Sequence, residues 1–528
     1  QTVSGSLTSD GTQGAITAAG NVLLQASGTA SDIMLGAAVT STGGNISINA
    51  ADAIQQNATI TTSTDGKTID VVAGGSITMA EGTSTTSTNG AIRYQAGSDV
   101  TIERLAAGTG SVSITATSGS IIDGDAVDAT NSEVDIVASG LLLNAGNAIG
   151  SGNNHFETTV GTLTASAGVG GMFVTESDAV TVGIVTVNVN RVDGTATVAQ
   201  TTYAAQTNLT SSGALVLQTV SGSLTSDGTQ GAITATGNVL LQASGTASDI
   251  ILGAAVTSTG GNISVNAARN MVQQAAIITS TDGKTIDVVA GGVITMAEGT
   301  STTSTNGAIR YQAGSDVTIE RLAAGTGSVS ITATSGSIID GDAVDATNSE
   351  VDIVASGLLL NAGNAIGSGN NHFETTVGTL TASAGVGGMF VTESDAVTVG
   401  IVTVNVNRVD GTATVAQTTY AAQTNLTSSG ALVLQTVSGS LTSDGTQGAI
   451  TAAGNVLLQA SGTASDIMLG AAVTSTGGNI SINAADAIQQ NATITTSTDG
   501  KTIDVVAGGS ITMAEGTSTT STNGAIRY

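Results

Sequence analysis

The sequence predicts an all-β fold in which short strands stack as the coils of a parallel β-helix. A seven-residue pattern with alternating apolar positions begins nine times between residues 20 and 219, at intervals of 20 to 30 residues. Such alternation places one face of a strand in the core and the other in solvent. The chain also has no proline, which suits central strands because each needs its backbone N–H groups for the ladder. These observations predict coils of about 22–24 residues.

Each coil is expected to hold one main strand and further short apolar segments. The second segments include Asp32–Leu35 and Gly75–Met79, and turns rich in small polar residues, such as Ser63–Gly66 and Ser87–Gly90, lie between segments. Alanine at the end of the strand pattern suits an interior corner that has no room for a bulky side chain. The nine main strands are predicted at residues 20–26, 44–50, 67–73, 90–96, 110–116, 132–138, 161–167, 183–189 and 213–219.

The same sequence recurs with a period of 217 residues. Residues 1–217 form one copy, residues 218–434 a second with eleven substitutions, and residues 435–528 a partial third that matches the first throughout. Each full copy is expected to form about nine coils, and the chain one continuous rod of roughly 22 coils, about 100 Å long at strand spacing. Such faithful copying indicates a role for length or valency.

The substitutions between the copies indicate which side of a coil faces solvent. Seven of the eleven lie between residues 52 and 61, within a single predicted coil. Some exchange a polar side chain for an apolar one, as in Gln55/Val272 and Thr61/Ile278. Such exchanges are expected mainly on the outer face.

The alternative fold is a string of tandem β-sandwiches, about two in each copy. Aromatic residues make up only 2% of the chain. Sandwiches usually need a larger aromatic core than that composition supplies. Disorder is not expected, because 40% of the residues are hydrophobic and only 9% are charged.

Composition also restricts the partners. The formal net charge is −28 with only 11 Lys and Arg residues, which argues against nucleic acid or anionic lipid, because phosphate groups need clustered positive charge. The sequence contains no run of eighteen apolar residues, so no membrane insertion is expected in this segment. The absence of cysteine excludes disulfides.

The segments Gly44–Ala51 and Val72–Met79 show the coil pattern most clearly. In period and composition the chain resembles the filamentous haemagglutinin-like adhesins of Gram-negative bacteria. That resemblance implies a right-handed β-helix in a giant secreted filament at the cell surface, used for adhesion or cell–cell contact. Its partners would be cell-surface or matrix components. We expect the chain to be a segment of a longer protein, with secretion signals and anchors outside it.

Two other functions are compatible with a β-helix. A self-assembling fibre, sheath or biofilm-matrix protein would bind other copies of itself instead of a receptor. Enzymes with this fold cleave polysaccharides with carboxylates in a groove, often with Lys or Arg, whereas each full copy has one Lys, one His and three or four Arg. We therefore expect no enzymatic role and no catalytic residues.

An acidic segment is the best candidate for metal binding. Asp123, Asp125 and Asp128 are followed by Glu133 and Asp135, and closely spaced carboxylates at a turn can supply several of the six to eight oxygens that calcium takes. The spacing does not match the twelve-residue helical calcium loop. Solvated turn carboxylates are the alternative, so no cofactor is required, and calcium is the metal to test.

A long interval between two coils is the candidate contact surface. Asn153, Asn154, His155 and Phe156 lie in it, and His372 repeats the histidine in the second copy. Extra residues in a coil normally emerge as outer loops, where binding surfaces occur. The sequence therefore predicts a repeated contact loop, with a surface loop of no function as the alternative.

Overall fold

Strands account for all the regular structure that is described. The computed structural model describes residues 1–125, 133–342 and 350–528, and every helix or strand found in them is a β-strand. The strands stack in parallel as a β-solenoid of about 22 turns. The predicted parallel β-helix is therefore confirmed, and its handedness stays a prediction.

The solenoid divides into two compact units. Unit 1 comprises Gln1–Gly261 with Val409–Val415, and unit 2 comprises Asn262–Arg408 with Ala416–Tyr528. The strands between residues 1 and 261 are Leu7–Ser9, Ile16–Ala18, Val22–Ala26, Ile33–Leu35, Val39–Ser41, Ile46–Ala50, Ile54–Gln56, Ile60–Thr62, Ile69–Ala73, Ile77–Met79, Thr85–Ser87, Ile92–Ala96, Val100–Ile102, Leu105–Ala106, Ser111–Ala116, Ile121–Asp123, Ile136–Ala145, Ala148–Ile149, Phe156–Ala167, Gly171–Glu176, Val180–Val182, Val185–Val192, Val198–Gln206, Leu209–Ser211, Leu215–Thr219, Leu224–Ser226, Ile233–Ala235, Val239–Ala243, Ile250–Leu252 and Val256–Ser258.

The strands from residue 262 onward largely repeat this series. They are Ile263–Ala267, Met271–Gln273, Ile277–Thr279, Ile286–Ala290, Ile294–Met296, Thr302–Ser304, Ile309–Ala313, Val317–Ile319, Leu322–Ala323, Ser328–Ala333, Ile338–Asp340, Ile353–Ala362, Ala365–Ile366, Phe373–Ala384, Gly388–Glu393, Val397–Val399, Val402–Val409, Val415–Gln423, Leu426–Ser428, Leu432–Thr436, Leu441–Ser443, Ile450–Ala452, Val456–Ala460, Ile467–Leu469, Val473–Ser475, Ile480–Ala484, Ile488–Gln490, Ile494–Thr496, Ile503–Ala507, Ile511–Met513, Thr519–Ser521 and Ile526–Arg527.

Most turns contain one strand of about five residues and two of about three. In the first copy a turn begins with Val22–Ala26, continues through Ile33–Leu35 and Val39–Ser41, and closes when Ile46–Ala50 pairs with the first strand in parallel. The short strands pair in the same way with those of the next turn. The second apolar segments predicted from the sequence are therefore strands of the solenoid.

The core consists mainly of aliphatic side chains stacked on their counterparts in the next turn, with a few fully buried tyrosine and phenylalanine side chains. Ile46 and Ile48 are fully buried, and Ala96 ends a strand at a buried corner. Glycine allows the backbones of successive turns to approach closely after such corners. A Cβ on Gly74 would lie 2.1 Å from the carbonyl oxygen of Ala51, so a side chain there would displace the neighbouring turn.

Most of the substitutions between the copies lie outside the core, as expected for exchanges of polar for apolar side chains. Gln55 and Thr59 are exposed and Thr61 is half-buried. Ile54 is fully buried, and the second copy replaces it with the apolar Met271, which is also buried. The core thus keeps its apolar character while the surface varies.

Each copy contains slightly more than eight turns. Within unit 1, the stack containing Ile33–Leu35 reaches Val239–Ala243 after eight steps of parallel pairing. Val239–Ala243 is the copy-two equivalent of Val22–Ala26, which lies in a different stack. A copy is therefore not a whole number of turns, and corresponding strands of successive copies occupy different sides of unit 1.

One predicted strand leaves the solenoid. Residues 183–189 show the coil pattern, but Val185–Val192 pairs antiparallel with Val198–Gln206. We call this hairpin, residues 185–206, the strap. It lies against the outer side of the longer strands of the first copy, which we call the covered face, and Val185, Val187 and Val189 pack on Leu142 there. The prediction of a coil at residues 183–189 was therefore wrong, because a strap strand alternates in the same way.

Candidate functional site

The end of one short strand brings carboxylates together. Asp123 is the last residue of Ile121–Asp123 and is 4% exposed. The amide of Asp125 donates to Oδ1 of Asp123 at 2.9 Å. A Cβ on Gly124, between them, would lie 2.3 Å from Oε1 of Glu103. Glycine at this position therefore lets a carboxylate of the preceding turn sit directly against the backbone.

A third aspartate joins the first two from further along the chain. Asp135 precedes the strand Ile136–Ala145 and is fully buried. Its Oδ2 accepts a hydrogen bond of 2.8 Å from the amide of Glu157, whereas its Oδ1 is buried without a hydrogen-bond partner. Carboxylate oxygens of Asp123, Asp125 and Asp135 lie within 4.8 Å of one another. We call these three residues the acidic cluster.

An amide side chain supports the acidic cluster from the next turn. Nδ2 of Asn154 donates to Oδ2 of Asp123 at 2.5 Å. Oδ1 of Asn154 is buried and has no hydrogen-bond partner. A residue predicted to belong to a contact loop therefore orients a carboxylate of the acidic cluster.

Burial and mutual repulsion disfavour ionisation of these carboxyl groups. Burial raises the pKa of Glu103 to about 7, an effect that the amide of Gly82 opposes and the neighbouring Asp125 and Asp123 reinforce. Burial also raises the pKa of Asp135 well above its ordinary value, and the charge of Asp123 adds to that shift. The site can therefore hold protons or a cation that is bound by oxygen.

The second copy reproduces the arrangement within unit 2. The amide of Asp342 donates to Oδ1 of Asp340 at 2.9 Å, and the amide of Glu374 donates to Oδ2 of Asp352 at 2.8 Å. Oδ1 of Asp352 is again buried without a partner. The corresponding carboxylate oxygens also lie within 4.8 Å of one another.

The structure brings together part of the predicted acidic segment and places Glu103 beside it. Asp123 and Asp125 are adjacent, as the sequence suggests, and Asp135 joins them. Asp128 lies outside the described residues. Sequence reasoning did not include Glu103, because the register between turns determines that it lies beside Asp125.

The predicted contact loop is largely turned inward. Asn153 is exposed and Asn154 is half-buried. His155 is only 4% exposed, and Phe156 is fully buried at the start of the strand Phe156–Ala167. The contact function stays a prediction, and of these four residues Asn153 offers the most exposed surface.

The histidine of this segment makes its contacts within unit 1. Nδ1 of His155 lies 2.8 Å from Oγ1 of Thr175, and Nε2 lies 2.9 Å from the carbonyl oxygen of Gly411. His372 makes the corresponding 2.8 Å contact with Thr392 in unit 2. The histidine therefore acts as a hydrogen-bonding group that ties neighbouring chain segments together.

The covered face contains a charge cluster that the sequence did not reveal. Nε of Arg93 lies 2.9 Å from Oδ1 of Asp70, and Nε of Arg191, in the strap, lies 2.8 Å from Oδ2. The guanidinium of Arg93 stacks 4.2 Å above the ring of Tyr203, also in the strap. Cation–π contact and ion pairing thus join the strap to two successive turns.

The strap also provides partners for polar side chains on the covered face. The amide of Val192 donates to Oγ of Ser47 at 2.9 Å, and the amide of Asn190 donates to Oγ1 of Thr68 at 2.8 Å. Ser47 is fully buried and Thr68 is 4% exposed. Equivalent contacts recur in unit 2, where Nε of Arg408 lies 2.9 Å from Asp287.

Comparison with known proteins assigns no family. No protein-family model, no curated protein and no solved structure matches the chain. The resemblance to filamentous haemagglutinin-like adhesins therefore depends on period, composition and the solenoid fold. Among the described residues, no helix is long and apolar enough to cross a membrane.

Proposed function

We propose that this chain is a shaft segment of a giant secreted extracellular filament that mediates cell-surface adhesion or cell–cell contact, and that it has no catalytic role. The observation that carries the proposal is the construction of about 22 stacked turns from near-identical copies. Adding copies of such a unit adds length, because each turn buries its apolar side chains against its neighbours.

The strap supports a mechanical role. A solenoid of thin aliphatic turns is held together mainly by contacts between adjacent turns. The strap crosses several turns at once, since Val192 contacts Ser47 while Val187 packs on Leu142. A hairpin that joins turns so far apart in sequence would oppose bending and local fraying of the shaft.

The extracellular location and the adhesive partner are the two remaining parts of the proposal. They are supported by the resemblance in period and composition to secreted adhesins of Gram-negative bacteria. The net charge of −28 also suits an exposed and soluble filament, because like charges keep neighbouring molecules apart. The ligand would be a cell-surface or matrix component.

Shape and binding test the proposal separately. Small-angle scattering of the purified chain should give an elongated particle of about 100 Å, the length of a stack of roughly 22 strands at strand spacing. Fluorescently labelled chain should bind bacterial or host cells saturably. A globular acidic protein of similar net charge is the control for non-specific adsorption.

Each failure has a distinct meaning. A maximum dimension far below 100 Å would contradict the continuous shaft. A rod that forms lateral bundles in electron micrographs but binds no cell would contradict adhesion. That outcome would favour the self-assembling fibre or biofilm-matrix function instead.

A further inference from the structure

We propose that the acidic cluster of each complete copy binds one Ca²⁺ ion. The ligands would be Asp123, Asp125 and Asp135 in the first copy, and the equivalents Asp340, Asp342 and Asp352 in the second. The inference is independent of adhesion, since it concerns how the turns are held together.

The first argument is the separation of the oxygen atoms. Calcium binds oxygen at 2.3–2.6 Å, so two oxygens on one ion are at most about 5 Å apart. The three aspartates offer carboxylate oxygens that all lie within 4.8 Å of one another. A single ion can therefore contact all three side chains after small adjustments.

The second argument is an oxygen that lacks a partner. Asp135 is fully buried, and its Oδ1 makes no hydrogen bond although Oδ2 accepts one from the amide of Glu157. Buried carboxylate oxygens are normally paired, because an unpaired one loses its hydration without compensation. Oδ1 of Asp352 is in the same state in unit 2. Each full copy therefore offers the same unpartnered oxygen to a ligand, as its identical sequence here requires.

The acidic cluster also concentrates negative charge in a buried place. Neither Asp125 nor Asp135 forms an ion pair with any described residue. Glu103 is 5% exposed and adds a carboxyl group beside Asp125. Since buried like charges repel strongly, a divalent cation would offset the repulsion and the lost hydration together.

The donor set favours calcium over other ions. All three side chains offer hard oxygen ligands, whereas zinc and copper sites in proteins use mainly nitrogen and sulfur. Magnesium usually retains several waters and takes one or two carboxylates, while calcium accepts six to eight oxygens in a flexible geometry. Oδ1 of Asn154 is a further buried oxygen without a partner, on a side chain that contacts Asp123.

Such an ion would tie together two strands of one turn. Asp123 ends one strand and Asp135 precedes the next strand of the same turn. The amide of Glu157, in the following turn, donates to Oδ2 of Asp135 and links that turn to the site. Calcium would therefore stabilise the shaft once in every complete copy. The described residues contain two such clusters, so residues 1–528 should hold two ions.

Calorimetric titration of the chelator-treated full chain with CaCl₂ tests the proposal. We expect two bound ions for the unchanged chain, one for Asp135→Asn, and none for Asp135→Asn combined with Asp352→Asn. The matched control combines Asp65→Asn with Asp282→Asn, which removes the same charge from exposed turns and should leave two ions bound.

Thermal unfolding in chelator distinguishes loss of the site from loss of the fold. The double variant should unfold at the same or a higher temperature than the unchanged chain, because a neutral amide replaces a buried carboxylate. If it fails to fold, Asp125→Asn with Asp342→Asn, at half-buried positions, should weaken calcium binding at least tenfold.

Three results would overturn the proposal. They are an unchanged chain that binds no calcium, a folded double variant that still binds two ions, and tighter binding of Mg²⁺ than of Ca²⁺ at the same stoichiometry.

Discussion

The longer strands of the first and third copies have the same sequence but different surroundings. Asp70 and Arg93 in the first copy are 0% and 3% exposed, whereas their equivalents Asp504 and Arg527 are 34% and 69% exposed. The strap, residues 185–206, is part of the first copy, and residues 435–528 contain no equivalent of it. Arg93 is flanked by Asp70 and by Ser113 of the following turn, whereas Arg527 has only Asp504 beside it. The strap and the following turn therefore both contribute to burial of this ion pair.

The difference extends beyond the last turn of the chain. Thr68 and Asn45 are both 4% exposed and contact the strap. Their equivalents Thr502 and Asn479 are exposed, although they still bond to each other. The hydrogen bonds between turns thus form with or without the strap. What the strap changes is the solvent exposure of the side chains on the covered face.

The pKa values of the two equivalent aspartates also differ between the first and third copies. Burial raises the pKa of Asp70, and Arg93 and Arg191 oppose that shift only in part. The hydrogen bond from Arg527 lowers the pKa of Asp504, which remains in contact with solvent. The same local sequence therefore shifts the pKa of a carboxyl group in opposite directions, because desolvation outweighs ion pairing at Asp70 but not at Asp504.

Breaking the ion pair should have the largest effect. Arg93→Ala leaves the buried Asp70 with Arg191 alone, so the opening free energy of the strand Ile69–Ala73 should fall by about 3–5 kcal/mol. Arg527→Ala at the exposed pair should cost about 0–1 kcal/mol. Native-state hydrogen exchange of the amides in each strand measures both values. If both substitutions lower the opening free energy by the same small amount, the strap does not desolvate Asp70.

Weakening the strap itself should have an intermediate effect. Val187→Ala or Val189→Ala removes a buried side chain from the contact with Leu142 and should cost about 2 kcal/mol. Hydrogen-exchange protection should fall together in the turns under the strap, because the strap crosses all of them. Val198→Ala, at a position that is 46% exposed, is the control. If hydrogen-exchange protection falls only at the amides of the strap, the turns do not depend on the strap for their stability.

The smallest effect is an opposite response to pH. The pKa of Asp70 is raised in the folded chain. Its carboxyl group therefore stabilises the fold fully at pH values below the unfolded pKa, and this stabilisation is lost as pH rises through the folded pKa. The pKa of Asp504 is lowered in the folded chain. Its carboxyl group therefore stabilises the fold at pH values above the unfolded pKa, and this stabilisation is lost as pH falls through the folded pKa. Carboxyl NMR titration should find Asp70 above and Asp504 below 3.8. If Asp70 still has a higher pKa than Asp504 after the strap is deleted, the strap is not the cause of the difference.

Most of the solenoid could be predicted because its signals are local. Alternation in segments such as Ile46–Ala50, alanine at corners such as Ala96 and small turn residues each depend on a few neighbouring positions. The strap could not be distinguished in this way, since Val185–Val192 alternates like any coil strand. Its antiparallel partner and its position on the covered face are long-range contacts.

The acidic cluster was predictable only in part. Asp123 and Asp125 are close in sequence, so their proximity in space is local. Asp135 belongs to the same acidic segment of the sequence, but only the path of the chain between the two strands decides how near it comes. Glu103 joins them through the register of successive turns, which the sequence pattern does not specify to one residue. The inward position of His155 likewise depends on contacts made after the turns have stacked.

The sequence by itself determined that this chain would stack parallel strands, because period-two alternation leaves each turn with an apolar face that only another turn can cover. Tertiary structure alone decided which polar residues became buried and which carboxylates met. Asp70 and Asp504 share one local sequence, yet only the first lies beneath a strap. Burial is a property of everything packed around a residue, and here the covering strand begins more than one hundred residues away.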